Sequence, residues 1–434
     1  MREVEKKRLL IYAHYYFPDV ASTGQIYREL AEGLLDYFDI TVICTVPSYY
    51  GLVDPAYKKK KYYREEINGV KVIRVRVPEF FKDNKRSRIR NVFSYFWGAI
   101  GATAKTGHED YILALSQPPI LGGMLGVWGK WMKHAKLIYN IQDFNPEQTI
   151  AVGYSHNYFV LKAMLAMDKF SCRRSNLVIT VGRDLVERMY IRFRGSKIPK
   201  TVMINNWIDE NITYPLPMND PQVVKFKEKY NLNGKFVIMY SGNIGLYYDL
   251  PNILKVIMKF KKGYTLNGSY EEGPKTADGR EVVFTFVGGG SVKDKLEKYA
   301  NINRMENVVF IPYQDKKDLI YSLNAGDVHW CVSGKGIKGV SVPSKVYGIM
   351  AVGKPALAVL EKKTEAREII EECQCGKCCD PGDYKGINDE IEWFIQNAGS
   401  KEMVSMGQRG RQYLMENLTK EKSIQKYKEA FKSI

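Results

Sequence analysis

Short apolar runs alternate with stretches of helical periodicity along nearly the whole chain, and they do so in two successive series. The strand-like runs of the first series are Leu9–Ala13, Ile40–Cys44, Val70–Val77, Tyr111–Ser116, Leu137–Gln142 and Leu177–Val181. Those of the second series are Phe236–Ser241, Val282–Val287, Val308–Ile311, Val328–Val332 and Pro355–Leu360. Strands separated by helices predict parallel sheets covered on both faces. The sequence therefore predicts an α/β fold with two doubly wound domains.

The length of 434 residues exceeds what one ordinary core supports, which agrees with two domains in series. A proline-rich stretch separates the two series and has the composition of an extended linker. We predict a first domain at 1–207, a linker at 208–221, a second domain at 222–406 and a helical tail at 407–434. The polar, glycine-bearing stretch Tyr264–Arg280 is predicted to be an insertion loop.

The positive charge of the chain is unevenly spread, and its net value of +17 favours an anionic partner, either nucleic acid or a membrane surface. One cationic cluster leads directly into aromatic residues: Lys82, Lys85, Arg86, Arg88 and Arg90, followed by Phe93, Phe96 and Trp97. Cations beside exposed rings suit an anionic membrane interface. The alternative is a solvated loop followed by an ordinary core helix. No nucleic-acid recognition motif accompanies the charge, so a nucleic-acid-binding protein remains only as a rival class.

The location of the protein is predicted from its hydropathy pattern. No uninterrupted apolar run of about 18 residues is present, and the charged N-terminus does not resemble a signal peptide. We expect a cytoplasmic protein, peripheral on the inner face of the plasma membrane. Four of the seven cysteines crowd together as Cys373, Cys375, Cys378 and Cys379. Their spacing is irregular and no histidine is near, which favours buried, reduced thiols over a zinc site. We expect no metal.

Three turns in the second half each follow or precede an apolar run and suit a phosphate-bearing ligand. Glycine lets the backbone approach a phosphate closely, and a serine and a lysine at the start of a helix favour an anion there. Taken together, the turns predict one site for a diphosphate. The residues predicted to bind this ligand are Gly242, Asn243, Gly245, Gly288, Gly289, Lys338, Ser344 and Lys345. For Lys338, a solvated loop charge is the alternative.

In the first half, polar residues follow two of the predicted strands. Ligands of doubly wound sheets bind beyond the carboxyl ends of the strands. Ser22, Thr23 and Gly24 open a helix after the first strand, and this helix start is predicted to tolerate an anionic ligand. Asp143 and Glu147 follow a later strand and are candidates for general-base or hydroxyl-binding work. The alternative for Asp143 is a helix cap. His14 and His108 are expected to be structural.

These motifs together resemble the retaining glycosyltransferases of family 4, which have the GT-B fold, over nearly the whole chain. The residues that carry the resemblance are Phe17-Pro18 with Gly24, Asp143 with Pro146-Glu147, Asn206-Trp207-Ile208-Asp209, Tyr240 to Gly245, Phe286 to Gly290, Pro343-Ser344-Lys345 and Met350 to Pro355. The subgroup that the chain is most similar to transfers N-acetylated aminosugars, including N-acetyl-L-fucosamine, during O-antigen and capsule assembly.

The resemblance implies two Rossmann-like domains that face a cleft. It also implies a UDP-sugar donor on the second domain as the only co-substrate, with no other cofactor and no metal. The acceptor would be a polyprenyl-diphosphate-linked saccharide near the first domain, and the anomeric configuration would be retained. Glycosyl transfer to a soluble acceptor is an open alternative. An epimerase would need a Gly-x-Gly-x-x-Gly turn after the first strand, which is absent.

Two departures from the family pattern affect how the donor is held. The family commonly has two glutamates before the Met-Ala-x-Gly segment, and Val340 and Gly348 stand at those positions. The family also commonly has an arginine and a lysine after the first glycine-rich turn, where this chain reads Leu246 to Asp249. We expect Lys338 and Lys345 to take over the diphosphate contacts, and the ribose to be held by other groups.

Overall fold

The computed structural model describes residues 6–19, 21–81, 84–151, 153–265 and 267–434. The chain forms two compact units. The first unit comprises Met1–Asn206, Gly339–Ser341 and Glu421–Ile434, and the second comprises Trp207–Lys338 and Val342–Lys420. Residues 204–220, around the junction of the two units, contain no helix or strand. Both ends of the chain therefore belong to the first unit.

The first unit is built on an eight-stranded sheet. Its strands are β1 (Lys7–Tyr12), β2 (Phe38–Thr45), β3 (Tyr62–Ile67), β4 (Val70–Val75), β5 (Tyr111–Leu115), β6 (Lys136–Ile141), β7 (Leu177–Thr180) and β8 (Thr201–Met203). They lie in the order β3-β4-β2-β1-β5-β6-β7-β8. All neighbours are parallel except β3, which pairs antiparallel with β4 at the edge. The order reverses between β1 and β5, so the loops after these two strands diverge there and leave room for a ligand.

Helices connect the strands of the first unit. They are α1 (Ser22–Gly33), α2 (Lys85–Thr103), α3 (Leu121–Lys133), α4 (Glu147–Ala151), α5 (Tyr158–Arg174) and α6 (Arg183–Arg192). The strands β1, β5 and β7 are almost continuously apolar. They are buried because helices cover the sheet. None of the helices in the described part of the chain is long and apolar enough to span a bilayer.

The second unit has a six-stranded parallel sheet and a small hairpin. Its strands are β9 (Phe236–Ser241), β10 (Gly263–Tyr264), β11 (Tyr270–Glu271), β12 (Val282–Val287), β13 (Val308–Ile311), β14 (Val328–Val332), β15 (Ala356–Val359) and β16 (Gly376–Cys379). The large sheet has the order β13-β12-β9-β14-β15-β16, which is the Rossmann order, with the reversal between β9 and β14. The hairpin of β10 and β11 lies in the predicted insertion loop.

The helices of the second unit include the first part of the predicted tail. They are α7 (Pro221–Lys229), α8 (Leu250–Ile257), α9 (Lys293–Ile302), α10 (Leu319–Ala325), α11 (Lys345–Ala351), α12 (Glu365–Glu372), α13 (Tyr384–Gln396) and α14 (Lys401–Asn417). The last helix, α15 (Lys420–Lys432), packs in the first unit, where Phe431 contacts Phe38 and Tyr111. The predicted tail at 407–434 therefore begins inside a helix and is divided between the two units.

The α/β prediction with parallel sheets in two domains is confirmed, and the differences lie at the sheet edges. Sequence analysis did not find β3, β8 or β16, which are short or polar strands. The cysteine cluster lies at and around β16: Cys375 and Cys379 are buried, whereas Cys373 and Cys378 are partly buried. Among the described residues, no three His, Cys, Asp or Glu side chains are arranged to hold a metal ion. That the protein uses no metal stays a prediction.

Candidate active site

A cavity of about 290 Å³ lies in the first unit at the point where the strand order reverses. Its walls come from the segments after β1, β2, β4, β5 and β6, from the start of α1 and from the first two turns of α2. The lining residues are His14, Tyr15, Ala21, Ser22, Thr23, Tyr49, Phe80, Arg88, Asn91, Val92, Ser116, Gln117, Pro118, Pro119, Asp143, Asn145 and Gln148. The predicted Ser22, Thr23 and Asp143 are thereby brought together, although they lie far apart in the sequence.

Among the described residues that line this cavity, Asp143 alone has an acidic side chain. Burial raises the pKa of its carboxyl group to about 6, and side-chain hydrogen bonds with Gln148 and Gln117 only partly offset this effect. The Asp143 carboxyl group caps no helix, because the following helix α4 begins at Glu147 and its nearest side-chain partners are glutamines. Asp143 thus combines a cavity position with a perturbed pKa, which is typical of functional carboxyl groups.

The Asp143 backbone is also held in place by a distant part of the chain. Asp143 forms an isolated antiparallel bridge with Ser341, and the Phe144 amide donates to the Val340 carbonyl at 2.8 Å. The Gly339 amide donates to the carboxylate of Asp184 on α6 at 2.7 Å. The segment Gly339–Ser341 therefore belongs to the first unit, and it immediately precedes the predicted Ser344 and Lys345 of the second unit.

Glu147 occupies a different environment from Asp143. Its carboxylate pairs with Arg192, which also pairs with Asp168 and is almost fully buried. Burial would raise the pKa of Glu147, but the hydrogen bonds and charge of Arg192 outweigh it and hold the pKa below its usual range. Glu147 is absent from the cavity wall. Of the two acids predicted for general-base or hydroxyl-binding work, Asp143 therefore lines the cavity, whereas the Glu147 carboxylate is held by Arg192.

Two of the three residues predicted at the start of α1, Ser22 and Thr23, line the cavity. The Thr23 hydroxyl donates to the Gln117 side-chain carbonyl at 3.1 Å, which ties α1 to the loop after β5. Gly24 instead lies against the backbone of Tyr15, where an added Cβ would come within 3.1 Å of the Tyr15 carbonyl oxygen. Gly24 thus serves the packing of α1.

His14 is a cavity residue that sequence analysis assigned to a structural role. It follows β1 directly and lines the cavity, and only 6% of its surface is exposed. Its Nε2 atom has no hydrogen-bond partner within the described residues. Burial lowers the pKa of His14 to about 3, so the ring is neutral at physiological pH. Its position directly after a strand at the reversal point was the signal that could have identified it.

The predicted basic-aromatic segment forms the helix α2, apart from Lys82, which lies outside the described residues. Phe93 and Trp97 are exposed, as are Arg86 and Arg90, and their spacing of three or four residues places all four on one face. Phe96 is half-buried, so it is partly a packing residue. Of the other two predicted cations, Arg88 lines the cavity and Lys85 lies 4.6 Å from the Tyr154 ring centroid.

In the second unit, the two glycine-rich turns lie against each other. Gly242 and Gly288 have φ values of +134° and +136°, which side chains rarely adopt. A Cβ at Gly288 would come within 2.0 Å of the Gly242 carbonyl oxygen. The Ile244 amide donates to the Gly289 carbonyl at 2.8 Å, which joins the turns. Gly289 and Asn243 are exposed beside them, whereas Gly245 is buried.

Lys345 is directed to the first of these turns. Its Cε lies 3.0 Å from the position that a Gly242 Cβ would take. Its ammonium group lies 3.9 Å from the Tyr248 ring centroid and 4.9 Å from that of Tyr240. Cation–π contacts of this kind hold a lysine without neutralising its charge. The ammonium group is thus fixed beside exposed glycine backbone, an arrangement that suits a phosphate oxygen.

The other predicted donor residues are less directly placed. Ser344 is exposed, one residue before α11. The Lys338 amide donates to the Glu361 carboxylate at 2.9 Å, and the same carboxylate accepts from the Gly336 amide at 3.0 Å. The Val340 side chain is buried. Gly348 is also buried, and an added Cβ there would touch the apolar side chains of Leu323 and Ile208. Neither position offers a polar environment for a glutamate.

Comparisons with known proteins agree with this geometry. Residues 223–413 match the family model described as "Glycosyl transferases group 1". The chain is 24% identical to a probable glycosyltransferase, WbjE, of Pseudomonas aeruginosa, over 95% of this chain and 92% of that protein. It is 23% identical to a putative colanic acid biosynthesis glycosyl transferase, WcaI, of Escherichia coli strain K12, over 84% of this chain and 86% of that protein.

The fold is also similar to that of solved structures. The crystal structure of Anabaena Alr3699/HepE in complex with UDP and glucose has a TM-score of 0.69 and 14% sequence identity, and the alignment covers 99% of this chain and 100% of that one. At this identity the likeness establishes the fold, which is of the GT-B type, with two Rossmann-like domains.

Proposed function

We propose, on the premise that residues 223–413 form a group 1 glycosyltransferase domain, that this protein transfers a sugar from a UDP-sugar to a lipid-linked saccharide in surface polysaccharide assembly. The observation that carries the proposal is the pair of joined glycine turns with the Lys345 ammonium group fixed beside them. Backbone groups of a glycine turn and a lysine ammonium group together suit a diphosphate.

In this proposal the donor diphosphate lies along Gly242, Asn243, Gly289 and Lys345. When the bond between the sugar and the diphosphate breaks, negative charge develops on the leaving phosphate oxygen. A lysine already held in place stabilises that charge without rearrangement, which lowers the barrier. The UDP in the HepE complex supports uracil as the base of the donor, and the name of the relative WcaI, a putative colanic acid biosynthesis enzyme, supports a polysaccharide product. The sugar is proposed to be an N-acetylated aminosugar, transferred with retention and without a metal.

The acceptor is proposed to enter the cavity of the first unit. Asp143, whose pKa is raised to about 6, is largely ionised at neutral pH and accepts a hydrogen bond from the acceptor hydroxyl that becomes glycosylated. The neutral His14 ring and the amide groups of Gln117 and Gln148 offer further contacts for sugar hydroxyls. Glu147 is assigned to positioning, because its pairing with Arg192 holds the loop that carries Asp143.

The exposed face of α2 supports the lipid-linked nature of the acceptor. Arg86 and Arg90 supply attraction to anionic lipids, while Phe93 and Trp97 supply rings that enter the headgroup layer. The same helix contributes Arg88, Asn91 and Val92 to the cavity wall. A membrane-bound α2 would therefore keep the cavity near the headgroups that carry the acceptor.

Titration calorimetry with nucleoside diphosphates tests the donor assignment. We expect UDP to bind and GDP to bind at least about tenfold more weakly, which corresponds to a difference of about 1.4 kcal/mol. Incubation with UDP-N-acetylated aminosugars and a lipid extract should then release UDP in an extract-dependent reaction. Failure of every nucleoside diphosphate to bind would contradict the proposed function, and UDP release with water-soluble saccharides alone would favour a soluble acceptor.

A further inference from the structure

A second apolar surface of the first unit lies on helices that sequence analysis did not single out. The N-terminal half of α5 leaves Tyr158, Phe159 and Val160 exposed by 65%, 80% and 48% of their surfaces. About two turns further along α5, Met167 is 37% exposed. Isolated exposed apolar residues are ordinary, but three consecutive ones with this exposure form a candidate interaction site.

Neighbouring helices extend this surface. Trp128 and Trp131 of α3 are 43% and 49% exposed, and the Trp131 ring lies 6.1 Å from that of Phe170 on α5. The helix α3 packs against both α5 and α2, so the three helices are neighbours in one layer. We define the aromatic face as the exposed side chains of Trp128, Trp131, Tyr158, Phe159, Val160 and Met167.

The charges around the aromatic face are almost all positive. The helices α3 and α5 contain one carboxylate, that of Asp168, which is buried and paired with Arg192. Their cations are Lys130, Lys133, Lys162, Lys169, Arg173 and Arg174. A second copy of this chain would bring like charges together at this face. An anionic, partly apolar partner instead complements both the cations and the rings.

We infer that the aromatic face docks on the surface of an anionic lipid bilayer, with tryptophan and tyrosine rings in the headgroup region and Phe159 in the acyl boundary. The inference rests on the proposed function, because it assigns the acceptor to the same bilayer. The apolar run begins close to the cavity: Gln148 lines the cavity, and Ile150 and Tyr154 after it are exposed. The docked surface therefore extends from the cavity, where the saccharide of a membrane-borne acceptor binds.

Co-sedimentation with vesicles tests this inference on the full-length protein. The vesicles contain phosphatidylglycerol with phosphatidylcholine, or phosphatidylcholine alone. We expect wild-type protein to bind the anionic vesicles, and the double variant Tyr158→Ser/Phe159→Ser to bind at least about tenfold more weakly at low and at high salt, because it removes apolar insertion. The matched control is Ile302→Ser/Val404→Ser, two largely exposed apolar residues on helices of the second unit. This control should bind as wild type does.

Thermal unfolding and calorimetry with UDP accompany the vesicle experiment. The double variant should keep the wild-type unfolding midpoint, because both side chains are largely exposed. Wild-type protein that does not bind UDP would contradict the proposed function, whereas its binding to vesicles would still support the inference about the aromatic face. Wild-type protein that does not bind anionic vesicles would overturn the inference. Equal losses of vesicle binding in the double variant and in the control would also overturn it. So would a wild-type dimer that is lost in the Tyr158→Ser/Phe159→Ser variant but not in the control.

Discussion

The two sheets have similar strand orders but offer different chemistry where those orders reverse. In the first unit, the loops after β1 and β5 surround a cavity lined by side chains, with one carboxyl group of raised pKa at Asp143. In the second unit, the loop after β9 exposes glycine backbone beside the ammonium group of Lys345. The difference shows that one topology can supply hydroxyl recognition or phosphate recognition, depending on which groups the strand-end loops carry.

The comparison also separates two acids of one loop. Asp143 lines the cavity and is desolvated, so its pKa is raised, whereas Glu147 is neutralised by Arg192 and its pKa is lowered. Two carboxyl groups that lie four residues apart therefore have opposite perturbations. This contrast is the basis for proposing a chemical role for Asp143 and a supporting role for Glu147.

The largest effect on catalysis is expected from Asp143→Asn. The amide keeps the shape of the side chain but removes the negative charge that orients the acceptor hydroxyl. We expect turnover to fall by about 10²- to 10⁴-fold, the usual contribution of an acid–base group. UDP affinity should be unchanged, because the proposed donor site lies in the second unit. Turnover is measured by UDP release, and near-normal turnover would refute the role of Asp143.

Glu147→Gln is expected to affect the stability of the fold. The variant breaks the ion pair with buried Arg192 and leaves only Asp168 to compensate the guanidinium charge. We expect the free energy of unfolding to fall by about 3 kcal/mol, the lower end for a broken buried pair. The control is Glu79→Gln, which loses an exposed pair with Lys58 and should lower the free energy of unfolding far less. Equal losses in denaturant titrations would contradict this assignment.

In the second unit, two adjacent glycines provide a matched test. Gly288→Ala places a Cβ against the Gly242 carbonyl oxygen in a backbone conformation that alanine disfavours. We expect a loss of about 2–3 kcal/mol of unfolding free energy and loss of UDP binding. Gly289→Ala meets no atom within 4 Å and should keep its stability. If a diphosphate approaches the Gly289 backbone, this second variant should still bind UDP more weakly.

Lys345→Ala should weaken the donor site without unfolding it. Removing one charge-assisted phosphate contact costs about 1.5–3 kcal/mol, which corresponds to at least a tenfold loss of UDP affinity. The control is Lys298→Ala on α9, an exposed lysine of the same unit. Equal UDP affinities of the two variants in calorimetry would contradict the assignment of Lys345 to the donor site.

The smallest effects follow from the pKa of Asp143. If transfer requires its ionised form, the rate should fall about tenfold per pH unit below about pH 6 and level off above it. The stability effect has the opposite sign. A carboxyl group whose folded-state pKa is raised stabilises the fold most at low pH, and this contribution is lost as the pH rises through about 6. Neither dependence should remain in Asp143→Asn.

Local patterns in the sequence were sufficient for the fold class and for part of the site. The strands β1, β5, β9, β12 and β14 are apolar runs bounded by turn residues, and such runs are recognised without tertiary information. Gly242 and Gly288 were identified because glycine at a strand exit has few structural reasons other than a turn or a close approach. Edge strands such as β3 and β16 were missed, because partly exposed strands carry polar residues and depend on their neighbours.

Tertiary structure decided which of these groups meet. The sequence by itself determined two parallel α/β sheets and the residues at their strand ends, because hydrophobic periodicity and glycine turns are local properties. Only the folded chain placed Gly339–Ser341 and α15 in the first unit, since pairing with Asp143 and packing on Phe38 join residues far apart in the sequence. Only the folded chain distinguished Asp143 from Glu147, because desolvation and the nearby charge of Arg192 are set by three-dimensional surroundings.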